Sequence, residues 1–204
     1  MIFLLFGVLG LGLAAARRVP LARLASVRFS AIWAVFAAAA LHVVLNPLVL
    51  PPDLASRLLA APLPGLPATG GLLYIFSLLL ALLFLVLNRS LPGITLISAG
   101  LGLNLIVIAA NGGQMPGDPT PLARAGLLQG MLDDLAAGRW SYFAIMRPDT
   151  PLCFLGDVFL VPLPFREPTI LSIGDFVILA GELLFFNPIN PLRERWPARV
   201  AGAR

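Results

Sequence analysis

The sequence predicts an all-α membrane protein: a five-span helical bundle with an ordered extracytoplasmic segment that contains an interfacial helix. Three observations predict it. Of 204 residues, 59% are hydrophobic and 12% charged, with a mean hydropathy of +0.93, whereas a soluble domain is roughly a quarter charged. The apolar residues fall in long runs rather than at scattered core positions. The charged residues lie mostly between those runs and are sorted by sign.

The first run, Met1 to Ala16, is short, covering about 24 Å of a ~30 Å hydrocarbon core. Its positive charges follow it instead of preceding it, so it reads as a retained span and not a cleaved secretory signal. The second span is expected at 29–50, the third at 71–87, the fourth at 92–110 and the fifth at 169–186. Residues 1–187 form one transmembrane bundle in this reading, and 188–204 a basic cytoplasmic tail.

Every one of the fourteen basic residues is Arg. Arg17, Arg18, Arg23 and Arg28 fill the first connection, Arg89 the third, and Arg193, Arg195, Arg199 and Arg204 the tail. With five spans these nine share one side, against five Arg and seven acids on the other. The positive-inside rule places the N-terminus outside and the C-terminus in the cytoplasm. Arg residues beside apolar spans are topology signals and lipid anchors, so the net charge of +4 does not indicate nucleic acid. The lipid bilayer, and other membrane subunits, are the expected partners.

The connection 111–168 is the ordered outer segment. "LLQGMLDDLAAGRW" sets Leu128, Met131, Leu132 and Leu135 at helical spacing, followed by Trp140, Tyr142 and Phe143. That pattern fits a helix lying on the membrane surface, or equally one packed on the bundle's own loops. "PLCFLGDVFLVPLPF" is too short to span and is bracketed by prolines, so it reads as re-entrant or interfacial. The Pro-rich stretch 46–71 reads as a stiff cover on the same side. No internal repeat is visible, which argues against a transporter built on repeats.

Polar residues inside apolar runs are the candidate site. His42 and Asn46 are four apart, Asn104 and Asn111 seven apart, and Asp175 and Glu182 seven apart, so each pair shares a helix face. Asp175 is expected about 9 Å from the outer end of its span and Glu182 about 20 Å. An acid at the bilayer centre costs roughly 2.5–3.5 kcal/mol, so these groups must face the interior, pair or protonate. Asn and His in such places also serve as packing contacts. Glycines at 70, 71, 100, 102, 174 and 181 are expected to permit close helix approach.

The stretch "NGGQMP" after span four supplies residues tolerant of positive φ and then a proline that forbids continuation. It is expected to fold inward, with Asn111 bonding to residues 155–176 and Gln114 adding a second amide. One Cys and one His cannot build a closed zinc site, so no metal and no cofactor is expected.

"NRSLPGITLISAGLGLNLIVIAANGGQMP", with "FLGDVFLVPLP" and "SIGDFVILAGE" downstream, resembles an uncharacterised bacterial family of integral membrane proteins, a domain of unknown function. The family is marked by an Asn-Gly-Gly-x-Met-Pro turn and a later Gly-Asp pair. The resemblance covers about 88–186 and implies a bacterial inner-membrane, multi-pass protein without assigning an activity. "SIGDFVILAGELL" and "GLNLIV" are also faintly similar to lipoprotein signal peptidases, membrane aspartyl proteases. The position three after Asn104 is Val107 instead of the family's Asp, so a catalytic dyad would need Asp157 as partner for Asp175. The function expected is a non-catalytic accessory or assembly subunit of a membrane complex. The alternatives are a binding or transport site for a small or lipid-like ligand at the polar cluster, and a carboxylate-dyad hydrolase.

Overall fold

The computed structural model describes residues 28–44, 69–136, 142–163 and 166–186. Three apolar helices come first: α1 (Ile32–Val44), α2 (Thr69–Leu87) and α3 (Ile94–Ala110). Strand β1 (Met115–Gly117) and the short helices α4 (Pro119–Arg124) and α5 (Leu128–Ala136) follow. After β2 (Phe143–Ile145) and a 3-10 turn (Cys153–Leu155), β3 (Phe159–Leu163) and β4 (Arg166–Leu171) lead into α6 (Ile173–Phe186). In packing order α1 lies on α2, α2 on α3, and α3 on α6.

The five-span all-α bundle is not what the chain forms. Among the described residues the architecture is mixed, with six helices and two small two-stranded sheets. Among the described residues, only Gly70–Leu87 is long and apolar enough to cross a bilayer alone. The expected fifth span fails at its start. Residues 169–171 are strand, where Pro168 and the β-branched Thr169 and Ile170 suit a pleated edge better than a helix. The helix begins only at Ile173 and has 14 residues, about 21 Å. The first expected span, Asn46, the Pro-rich stretch up to residue 68 and the tail lie outside the described residues.

The outer segment is held by backbone pairing as well as by packing. β1 runs parallel to β2, with Met115 opposite Phe143 and Gly117 opposite Ile145. Asp157 joins as a further parallel bridge to Gly117. β3 and β4 are antiparallel, from Phe159 opposite Leu171 to Leu163 opposite Arg166, with an irregularity between Val161 and Leu163. Pro162 sits at that break, where a residue without an N–H is tolerated.

The core gathers Leu78 of α2, Val107 and Ile108 of α3, Met115, Leu122, Phe143 and Ile170. Leu128, Met131 and Leu135 pack, partly buried, against this core, which is the second of the two readings of that stripe. Partly covering three large side chains on the chain's own surface removes apolar area from solvent without requiring lipid. Leu132 alone of that stripe stays exposed.

Candidate functional site

The site is built where α3 and α6 touch through glycine. A Cβ on Gly100 would strike the Gly174 carbonyl oxygen, and one on Gly181 would strike backbone of Gly93. The two helices therefore meet backbone to backbone and run antiparallel. Gly102 faces open space and takes no part.

That approach brings Asn104 of α3 to the N-terminus of α6. Asn104 Nδ2 donates to Asp175 Oδ1 at 2.9 Å, and Ser172 Oγ donates to Asn104 Oδ1 at 2.9 Å. The Ser172 N–H donates to Asp175 Oδ2 at 2.9 Å, and the Asp175 N–H to Ser172 Oγ at 3.0 Å. The last two bonds form a reciprocal capping box, with Ser172 at the N-cap and Asp175 three residues on. Ser172, Asn104 and Asp175 are all buried. An acid in the first turn also complements the positive end of the helix. Asp175 is thus occupied in capping α6 and tying it to α3.

Asp157 reaches the same neighbourhood from the outer segment. Its backbone is fixed on both sides: its N–H donates to the Pro116 carbonyl at 2.9 Å and its carbonyl accepts from the Asp118 N–H at 2.9 Å. Its Oδ1 is buried and has no hydrogen-bond partner. Burial, and then the nearby charge of Asp175, hold the Asp157 carboxyl well above the usual carboxylate range. Tyr74 of α2 lies within electrostatic reach of Asp157, Tyr142 and Asp175. The Tyr74 and Tyr142 rings lie 5.3 Å apart, and His42 packs on both, at 5.5 and 6.3 Å.

Asp157 Oδ1 is unpartnered, while Asp175 Oδ1 and Oδ2 accept from Asn104 and Ser172. Asn111 Nδ2 donates to the Val107 carbonyl of its own helix and to the Pro151 carbonyl, at 2.8 and 2.9 Å. The bond expected to residues 155–176 falls instead on Pro151, just before the 3-10 turn. Gln114 Nε2 donates to the Phe143 carbonyl at 3.4 Å, which ties it to β2. Glu182 lies one heptad below Asp175, half-buried, with its Oε2 buried and unpartnered. His42 is exposed on its outer side.

Sequence reading missed Ser172, Tyr74, Tyr142 and Asn88 as structural partners. Ser-x-x-Asp before an apolar run is a legible capping-box signal; it was masked by taking the span to begin at Thr169. Asn88 is buried at the end of α2, accepting from the Ser30 N–H at 2.8 Å and donating to the Ser30 carbonyl at 2.9 Å. No pattern in the sequence links positions 58 residues apart. Among the described residues no group of three or more His, Cys, Asp or Glu could hold a metal ion.

Residues 26–187 match DUF5317, a family of unknown function. An uncharacterised protein of Thermotoga maritima is 31% identical over 127 residues, which is 61% of this chain and 67% of that protein. No solved structure matches. The chain belongs to the DUF5317 family.

Proposed function

We propose that this member of the DUF5317 family is a non-catalytic protein of the bacterial inner membrane that packs with other membrane chains as an accessory or assembly subunit. The observation that supports the reading is the apolar surface its helices present outward. Trp33 and Phe36 on α1 are 60% and 67% exposed, and Phe76 on α2 is 52% exposed. Leu79, Leu83, Val86, Ile106, Phe176, Leu183 and Leu184 continue this character over α2, α3 and α6. Water would penalise such a surface by roughly 25 cal/mol per Å², whereas lipid or a neighbouring apolar chain would not. Asp175 caps α6 and accepts from Asn104 of α3, a structural role that fits this reading.

Extraction in mild detergent followed by native mass spectrometry tests it. The expected result is a stoichiometric second chain whose association is lost in a Trp33→Ala, Phe36→Ala double variant that still folds and inserts. Recovery of the wild type as a monomer carrying lipid alone would remove the assembly reading.

A further inference from the structure

We propose that Asp157, with Asp175 and the Tyr74 hydroxyl, forms a binding site for one compact monovalent cation, an alkali-metal ion or a primary ammonium group. The acid pair does not carry this alone. The second observation is the buried Oδ1 of Asp157, which has no partner although the backbone on both sides of it is hydrogen-bonded. A buried acceptor left without a donor costs roughly 1–3 kcal/mol, and more when charged. Asp175 does not relieve it, because its Oδ1 and Oδ2 face Asn104 and Ser172.

The neighbours favour a cation over any other occupant. Asp157 and Asp175 repel each other as charges, and Tyr74, its ring 5.3 Å from that of Tyr142, lies within electrostatic reach of both acids. Among the described residues, His42 is the basic group packed on those rings. A single positive charge that accepts oxygen ligands, or donates N–H to them, would satisfy Oδ1 and screen the repulsion together. Ring faces nearby also tolerate a cation. The donor set is all oxygen and small in number, which suits a singly charged ion better than the crowded shell of calcium.

The test uses the full chain in phosphatidylcholine nanodiscs at pH 8, with sodium chloride, methylammonium chloride or choline chloride at equal ionic strength. Choline lacks N–H donors and is bulky. Unfolding temperature is expected to rise by about 2–4 °C, saturably, in sodium or methylammonium relative to choline. A rise in one salt alone identifies the inorganic ion or the ammonium as the ligand; a rise in both shows that the site takes either. Asp157→Asn should abolish the difference, Tyr74→Phe should weaken its concentration dependence, and Asp118→Asn should leave it intact. Identical wild-type unfolding in all three salts would overturn the proposal, whatever the variants do. So would a salt-specific rise that survives in Asp157→Asn.

Discussion

Ser172 is a single hydroxyl that serves two elements at once. It accepts the Asp175 N–H and donates to Asn104 Oδ1, so Ser172→Ala leaves a buried donor and a buried acceptor unsatisfied. A loss of about 1–3 kcal/mol in unfolding free energy is expected; a denaturant midpoint unchanged from wild type would show that the box is not needed. Asp157 gives a prediction of the opposite sign. Its folded-state pKa is raised, so its contribution to stability is fully present below the unfolded-state pKa and is lost as pH rises through the folded value. In choline salt, wild-type stability should therefore fall between acidic pH and pH 8, and Asp157→Asn should flatten that slope and be the more stable at pH 8. Thermal scans across pH check both. The acids themselves were legible as residues in the wrong solvent. Their roles were not, because whether a carboxylate caps a helix or stands unpartnered depends on where that helix begins.

Helix ends decided most of what the sequence made legible and what it hid. "NGG" was readable as a stop, and α3 ends there with Gly112 and Gly113 at φ of 66° and 89°. The Gly113 N–H reaches the Ile108 carbonyl at 2.8 Å and the Gly112 N–H the Ala109 carbonyl at 3.3 Å, the two bonds of a Schellman motif. What the sequence could not show is that Gly113 also lies against the backbone of Gly71 at the start of α2. The two glycines should thus respond differently. Gly112→Ala meets no atom within 4 Å and incurs only the left-handed backbone cost, roughly 1–2 kcal/mol. Gly113→Ala adds a collision with α2 and should be the more damaging by unfolding temperature. Equal effects would mean that the α2 contact is unimportant. The start of α6 was hidden for a related reason: an apolar strand and an apolar helix look alike when both are buried, and Thr169–Leu171 continue the hydrophobic run of α6 without a break in composition.

At the scale of the molecule, the described helices give the chain two distinguishable ends. The Asn88–Ser30 contact and Arg89 mark one end of α2, and the Gly71–Gly113 contact marks the other, beside the core that packs α5. Charge separates the same ends, since Arg28 and Arg89 are near neighbours in sequence of the Ser30–Asn88 contact while the 111–168 segment carries most of the acids. If the apolar outer surface faces lipid, α2 alone among the described helices is long enough to place these ends in different compartments. The end bearing Arg89 then belongs to the cytoplasm by the positive-inside rule. Cys153 is exposed, so a Cys153→Ser background is needed before single cysteines are placed at 89 and at 130, both of which lie on exposed positions. A membrane-impermeant thiol reagent added to intact spheroplasts should modify position 130 and spare position 89 until the membrane is opened. Modification of both without lysis would mean that α2 does not cross the bilayer, and modification of 89 alone would invert the orientation.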